Sequence, residues 1–380
     1  MLRVGLITTL DTNLGDDCIR EGICHVLREV CAGGIDFVPI NKHQPLTVYP
    51  SWHPARWPKF AKRLPRGGYR LDRMIAALGS AVRTSRFDGC DLIVQCGAPT
   101  IWPKCHECEW AGVLWTDVVG RLSGKGVRVL NLGAGACFPW EAQPRSIEIP
   151  EDAAFLRETA GYCSLTTVRD VLAEQLLKTL GVDATFLPCP AFLAGRGYGS
   201  DASSPENLVL INYMDGGGHF DWGQGIAADD WRHTVNEVIA NLRATHHVAF
   251  LCHDEKERLL AEQLWPDLPR HLPKTPQEFC SLVSRAKFAL CNRLHATVAM
   301  AGCGVPSVAV GTDTRMLMVG SLGLPCHYVK QATAAVLLRD LQRLAGNREQ
   351  ERERLRALRE ATWTRYCELV GAHVRGARAA

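Results

Sequence analysis

Short runs of apolar residues alternate along the first half of the chain with segments whose apolar residues recur every three or four positions. The runs predict buried β-strands, and the periodic segments predict amphipathic helices. The helical pattern is clearest at residues 16–30, where Ile19, Ile23, Leu27 and Val30 share one face behind an aspartate N-cap. The predicted strands are residues 4–8, 35–40, 91–95, 127–132, 165–168 and 184–187, and the further helices are 71–83, 151–159 and 170–180.

A Gly-, Ser- and Pro-rich stretch at residues 195–206 lacks an apolar period, as is typical of a linker. The alternation then starts again, with strands at 208–212, 248–251, 287–291 and 307–310. This βαβ pattern predicts an α/β protein of two Rossmann-like domains, each a mostly parallel sheet covered by helices. We predict the domains at residues 1–195 and 207–345, followed by a charged helix at 346–380 that covers a sheet edge or crosses back to the first domain.

The composition is that of an ordinary globular protein. Of the 380 residues, 47% are hydrophobic and 22% are charged, which excludes a disordered or fibrous protein. The 43 Lys and Arg nearly balance the 40 Asp and Glu, so the net charge of +3 gives no reason to expect a nucleic-acid partner. No apolar run reaches the roughly 18 residues of a membrane span, and the N-terminus has the pattern of a strand rather than a signal peptide. We expect a cytoplasmic protein without a transmembrane segment.

Polar residues that follow strands are the first candidates for a site, because open α/β sheets bind ligands at the carboxyl ends of their strands. Asn13, Gly15 and Asp16 follow the first strand and open a helix. Gly15 permits a tight turn there, and the free amides of the helix start can meet an anion or a sugar hydroxyl. The same residues also form an ordinary capped turn, and the sequence leaves both interpretations open.

The strongest candidate is Arg293-Leu294-His295, which follows the predicted strand at 287–291 and opens a helix. Arginine offers a planar fork to phosphate or carboxylate, and histidine titrates near neutrality, so the pair suits anion binding with proton transfer. Arg315 follows the next predicted strand. The alternative is that Arg293 pairs with a core carboxylate and that His295 only caps the helix.

Sixteen cysteines are unusual in a chain of this composition. Cys105 and Cys108 have Cys-x2-Cys spacing, and Cys96 ends a predicted strand on the same side of the sheet. These three predict a zinc ion or an iron–sulfur cluster as one alternative, and inert buried thiols as the other. Because no second Cys-x2-Cys pair is present, we expect that no cofactor is required.

Three motifs that follow strands resemble, in their order and spacing, those of the polysaccharide pyruvyl transferase family. They are Asn13-Leu14-Gly15-Asp16, Val168-Arg169-Asp170, and Arg293-Leu294-His295 followed by Gly304-Val305-Pro306. The resemblance covers about residues 5–324 and implies a GT-B-like arrangement of the two domains. It also implies an enzyme of envelope or exopolysaccharide synthesis that transfers the pyruvyl unit of phosphoenolpyruvate to a sugar hydroxyl, usually as a ketal. The partners implied are phosphoenolpyruvate and a glycan or lipid-linked sugar acceptor.

The resemblance assigns roles to the candidate residues. Arg169, Arg293 and Arg315 would bind the phosphate and the carboxylate of phosphoenolpyruvate. His295 would protonate the methylene carbon as a general acid, and Asp16 would orient or deprotonate the acceptor hydroxyl unless it only caps the helix. Asn13 and Gly15 would contact the substrate.

The chain also departs from the family pattern. Cys189 stands where the family tends to have the aspartate of Asp-Pro-Ala-Phe, and Arg315 stands where a lysine is usual. Residues 95–99, Gln-Cys-Gly-Ala-Pro, replace a run of glycines. Two other functions fit the sequence: a nucleotide-sugar glycosyltransferase, and a metal- or redox-linked cysteine protein on this scaffold. A Pro- and Arg-rich excursion at 44–70 is interpreted either as an acceptor-binding flap or as a solvated basic face.

Overall fold

The computed structural model describes residues 1–10, 13–31, 33–57, 68–198 and 207–375. Their strands form two sheets in which every neighbouring pair is parallel. The strands are β1 Leu2–Thr8, β2 Ile35–Asn41, β3 Leu92–Cys96, β4 Pro99–Ile101, β5 Arg128–Ala136, β6 Leu165–Val168, β7 Thr185–Phe186, β8 Leu208–Asn212, β9 His247–Leu251, β10 Arg270–His271, β11 Ala286–Cys291, β12 Ser307–Gly311 and β13 Cys326–Tyr328.

The helices cover both faces of the sheets, as parallel sheets require. They are α1 Leu14–Val30, α2 Gly68–Ala81, α3 Arg121–Ser123, α4 Pro150–Tyr162, α5 Val171–Thr179, α6 Ala228–Leu242, α7 Glu255–Leu264, α8 Pro276–Val283, α9 Leu294–Gly302, α10 Leu317–Gly320, α11 Ala334–Gly346 and α12 Arg348–Arg375. A π-helix, Ala111–Gly120, runs directly into α3. In the described part of the chain, no helix is both long and apolar enough to cross a lipid bilayer.

The first sheet has the order β2-β1-β3-β5-β6-β7, with β4 beside β5. Because successive side chains of a strand point to opposite faces of the sheet, this sheet has a hydrophobic core on each face. Val94 and Cys96 of β3 pack on the face that α1 covers, whereas Ile93 packs on the opposite face with Trp115 of the π-helix. The second sheet has the order β10-β9-β8-β11-β12-β13, and its apolar residues continue the core that α1 covers.

The last helix, α12, is hydrogen-bonded to residues that lie beside both sheets. The Tyr366 hydroxyl donates to the Pro188 carbonyl over 3.1 Å, and the Arg128 guanidinium donates to the His373 carbonyl. Arg359 donates to the carbonyl of Gly302, the last residue of α9, over 2.8 Å. Helix α12 is therefore bonded to the start of β5, to the chain just beyond β7 and to the last residue of α9.

The predicted class, two Rossmann-like α/β layers with parallel sheets, is confirmed. The pattern did not predict the π-helix, whose sequence is mostly apolar, or α7, where Leu260, Ala261 and Leu264 pack on the core but most other residues are charged. Parts of two predicted segments lie outside the described residues: 199–206 of the linker and 58–67 of the basic excursion. The domain boundaries stay predictions.

Candidate active site between the two sheets

A narrow cleft lies where the carboxyl ends of the two sheets face each other. The first turns of α1 and α9 form its centre, and Asn13, Gly15, His295 and Arg315 line it. Asn13 caps α1 by accepting a hydrogen bond from the Gly15 amide over 3.0 Å. A Cβ on Gly15 would lie 2.7 Å from the Cβ of His295, so only glycine allows the two helices to approach this closely.

This approach pairs Asp16 from the first domain with His295 from the second. The Asp16 Oδ1 and His295 Nδ1 atoms are 3.4 Å apart, and the two side chains are only 14% and 10% exposed. The Nε2 atom of His295 is buried and has no hydrogen-bond partner among the described residues. The carboxylate therefore orients the imidazole and leaves Nε2 for a ligand.

The charges around the pair set its protonation. Burial lowers the pKa of His295 well below its usual range, and positive charge, chiefly that of Arg169, lowers it further. Burial acts to raise the pKa of Asp16, but nearby positive charge, chiefly that of Lys42, lowers it overall. In the empty cleft His295 is neutral and Asp16 is ionised.

Arg169 is a fully buried cation that follows β6. Its Nε and Nη2 atoms have no hydrogen-bond partner in the described ranges. Its Nη1 atom lies 4.0 Å from the Cys189 sulfur, where the family tends to have an aspartate. Burial raises the pKa of this thiol, so Cys189 is neutral and gives Arg169 no counter-charge. A buried guanidinium with two free nitrogens is a strong anion site.

Lys42 is a second buried cation whose charge acts on Asp16 and His295, and the sequence analysis missed it. It directly follows β2, its side chain is buried, and its ammonium lies 5.3 Å from the centre of the Trp110 ring. Burial lowers the pKa of Lys42, and the charge of Asp16 opposes this. The rule that a site lies after strands applies to this residue as well as to Asp16, so the signal was present in the sequence.

Arg315 lies in the cleft wall but has a counter-ion. Its Nε and Nη2 atoms donate to the two carboxylate oxygens of Asp313 over 2.9 and 2.7 Å. This pairing raises the pKa of Arg315 in spite of its burial. The opposite side of its guanidinium faces the Phe220 ring at 5.1 Å.

Arg293 also lines the cleft, but two carboxylates hold its guanidinium. Its Nε lies 2.5 Å from Glu257 Oε1, and its Nη2 lies 2.7 Å from Asp254 Oδ2. This is the core-carboxylate alternative left open by the sequence. Asp254 caps α7, a helix that the pattern did not predict, so the partners of Arg293 could not be identified in advance.

His253 lines the same cleft beside Arg293. Both of its ring nitrogens are buried without a hydrogen-bond partner among the residues described. Burial lowers the pKa of His253 to about 3, and the charge of Arg293 acts in the same direction. The side chain is therefore a neutral wall of the cleft at pH 7.

The structure does not bring the three candidate metal ligands together. Cys96 packs in the core that α1 covers, Cys105 packs with Ile101 and Phe138, and Cys108 packs against the cluster around the π-helix. The described residues hold no group of three or more His, Cys, Asp or Glu that could bind a metal. All sixteen cysteines are free thiols, and burial raises the pKa of Cys108 to about 11. This corrects the predicted cluster, because strand alternation turns Cys96 to the other face of the sheet.

Comparison with solved structures supports the fold alone. The UDP-GlcNAc 2-epimerase of Neisseria meningitidis bound to UDP-GlcNAc has a TM-score of 0.52 and 10% identity, over 93% of this chain and 94% of that one. MnaA of S. aureus in a co-structure with UDP has a TM-score of 0.53 and 10% identity, over 94% of this chain and 91% of that one. A trehalose-6-phosphate synthase has a TM-score of 0.54 and 11% identity, over 99% of both chains. The arrangement of the two sheets is therefore that of GT-B glycosyltransferases and epimerases.

A comparison with curated proteins finds no match. The family model for polysaccharide pyruvyl transferase matches residues 13–314, a range that begins at Asn13 and contains Asp16, Arg169, Arg293 and His295. The three motifs that suggested the resemblance all fall within it. The chain therefore belongs to the polysaccharide pyruvyl transferase family and is a transferase that modifies polysaccharides.

Proposed function

We propose that this enzyme transfers the pyruvyl unit of phosphoenolpyruvate to a sugar acceptor and forms a ketal. The observation that carries the proposal is a group of unsatisfied polar atoms at and beside the cleft: Nε2 of His295 in its lining, and Nε and Nη2 of Arg169, whose charge acts on His295. Phosphoenolpyruvate carries a phosphate and a carboxylate, and it needs a proton donor at its methylene carbon. His295 lies beside buried cations and is paired with Asp16, so it suits that donor.

We assign the anionic groups of phosphoenolpyruvate to Arg169, Arg315 and Lys42. Arg169 has the free nitrogens, and Arg315 presents its guanidinium to the cleft while Asp313 orients it. Lys42 adds charge from the end of β2. Arg293 we assign to the scaffold, because Glu257 and Asp254 already occupy its nitrogens.

His295 Nε2 delivers the proton in the proposed reaction. The proton goes to the methylene carbon of phosphoenolpyruvate, and one sugar hydroxyl oxygen bonds to the neighbouring carbon while Asp16 accepts the proton of that hydroxyl. The bond from this carbon to the phosphate oxygen then breaks, a second hydroxyl closes the ketal, and its proton leaves with inorganic phosphate. Asp16, held ionised by the surrounding cations, suits the base, and His295 becomes the acid once the ligand's negative charge raises its pKa.

We place the acceptor in a second cavity of about 390 Å³ that Trp102, Phe138 and Pro139 line. Pro139 pairs with Asp313, which also lines the cleft, so the two cavities share this part of the wall. An aromatic, partly apolar cavity with a few polar groups suits a sugar ring. Trp102→Leu is expected to raise KM for the acceptor and to leave KM for phosphoenolpyruvate unchanged.

Phosphorus NMR of the protein with phosphoenolpyruvate and pooled cell-envelope glycans tests the reaction. Release of inorganic phosphate only when glycan is present supports the proposal. Turnover of UDP-GlcNAc instead, with no use of phosphoenolpyruvate, would favour a nucleotide-sugar glycosyltransferase. His295→Gln serves as the matched inactive control, since it keeps a polar side chain but cannot relay a proton.

A further inference from the structure

The large apolar side chains that remain exposed are concentrated in one region. Six of the eleven in the described part of the chain lie between residues 46 and 78: Leu46, Trp52, Trp57, Leu71, Met74 and Leu78. Single exposed apolar residues need no explanation, but a contiguous group marks an interaction surface. The cleft uses none of these six residues.

Helix α2 contributes a stripe of three side chains. Leu71, Met74 and Leu78 are spaced three and four residues apart and therefore share one face of the helix. They are 37%, 63% and 49% exposed. Gly79 of α2 packs against Ala55: a Cβ added at Gly79 would lie 3.6 Å from the Ala55 Cβ. Helix α2 therefore packs on the turn at Pro54–Arg56.

Two exposed tryptophans flank that turn. The Trp57 indole donates to the Trp52 carbonyl over 3.1 Å, and their side chains are 46% and 58% exposed. His53 stacks on Tyr49 at 4.2 Å, and its Nε2 lies 2.8 Å from the carbonyl of Val82, just beyond α2. The turn and the helix are thus fixed to each other. We call Trp52, Trp57, Leu71, Met74 and Leu78 the apolar patch.

The chain around the apolar patch is strongly basic. Residues 46–86 of the sequence contain nine Lys or Arg and one Asp, a net charge of +8 in a chain whose total is +3. The arginines of this region that the structure describes are all exposed: Arg56, Arg70, Arg73, Arg83 and Arg86. The remainder of the sequence is therefore net acidic, and the five exposed arginines belong to the same segments of the chain as the exposed apolar side chains.

We propose that the apolar patch and its arginines dock the enzyme on the surface of a bilayer that contains anionic lipids. Tryptophan, leucine and methionine on one face with flanking arginines are the composition of an interfacial helix. Anionic headgroups attract such arginines. A nucleic acid would use the arginines but not Leu71, Met74 and Leu78.

The position of the apolar patch suits this role. Its segment leaves the first sheet at the carboxyl end of β2, the edge on which Lys42 and Asp16 lie. Docking at the apolar patch would therefore use the segment that follows Lys42 in the chain, and it would insert no helix across the membrane. The docking does not depend on the reaction proposed above.

Co-sedimentation of the full chain with vesicles tests the proposal. One set contains phosphatidylcholine alone, and the other contains about 30% phosphatidylglycerol. We expect binding to the second set that falls as salt rises. Arg70→Gln with Arg73→Gln should weaken it by roughly 10- to 30-fold, and Met74→Ser with Leu78→Ser by about tenfold or more.

Leu259→Ser on α7 is the matched control, since Leu259 is 52% exposed outside the apolar patch and its variant should bind like the parent. An unchanged melting temperature shows that each variant is folded. Failure to sediment with either vesicle set would overturn the proposal. So would equal sedimentation of parent and patch variants, or a patch variant that changes only the oligomeric state in size-exclusion chromatography, which would indicate a second copy of the chain as the partner.

Discussion

Arg169→Met should make the protein more stable and at the same time weaken its binding of phosphoenolpyruvate. Arg169 is fully buried, two of its nitrogens lack hydrogen-bond partners among the residues described, and the third lies 4.0 Å from a neutral thiol. Methionine fills a similar space without the charge. A residue kept for binding rather than for stability has this signature.

The expected changes in stability and in phosphoenolpyruvate binding can be estimated separately. Replacing buried charged groups by apolar residues of similar volume is neutral or stabilises proteins by about 1–4 kcal/mol, so the free energy of unfolding should rise within that range. Loss of charge-assisted hydrogen bonds to phosphate or carboxylate removes about 1.5–3 kcal/mol of binding. The dissociation constant of phosphoenolpyruvate should therefore rise roughly 10- to 150-fold.

Urea unfolding and calorimetric titration with phosphoenolpyruvate, run on the same preparations, give both quantities. Arg315→Met is the matched control, because Arg315 is paired with the buried Asp313. Its loss leaves a buried carboxylate alone and should destabilise the protein by about 3–5 kcal/mol. If Arg169→Met destabilises the protein as Arg315→Met does, then Arg169 has a counter-ion and the argument for a vacant anion site is refuted.

Four further predictions concern protonation and pairing. Phosphoenolpyruvate binding should take up a proton at His295, so affinity rises as pH falls from 8 towards 6; calorimetry in buffers of different ionisation enthalpy should show no such uptake in His295→Gln. Cys189→Asp should give Arg169 a partner and raise KM for phosphoenolpyruvate about tenfold, whereas Cys189→Ser should not. Arg293→Ala should lower the free energy of unfolding by about 3–5 kcal/mol, because it leaves the Glu257 carboxylate without its partner. Adding Glu257→Gln should recover part of that loss. The affinity of the folded protein for phosphoenolpyruvate should stay unchanged. The pKa of His253 is about 3 in the folded protein and near 6.5 when unfolded, so on acidification the unfolded state binds the proton first. The free energy of unfolding should therefore decrease below about pH 6.5, by up to about 1.4 kcal/mol per pH unit. In His253→Leu the free energy of unfolding should depend less on pH.

The fold was predictable because its strands are apolar and its helices are periodic. The positions of Asp16 and His295 after strands also followed from this pattern, although their pairing across the domains did not, since it depends on the approach of α1 to α9 at Gly15. Lys42 could have been identified by the same strand-end rule. The pairing of Arg293 could not, because its partner Asp254 caps a helix that the sequence analysis did not predict.

The cysteines show the opposite case, in which the sequence contained the answer. Cys96 is two residues from Val94 and four from Leu92, so alternation places all three on the same face of β3. Cys105 and Cys108 belong to other clusters. Spacing along the chain predicted a shared metal, whereas strand parity already argued against it.

The contact of Gly15 with His295 makes the chemistry depend on the spacing between α1 and α9. Asp16 and His295 lie on these two helices, so a change that separates the helices by even a few ångströms leaves an acid and a base that no longer work together. A bulkier residue at position 15 would push the two helices apart without removing either side chain. In the proposed reaction such a variant should still bind phosphoenolpyruvate but fail to transfer its pyruvyl unit.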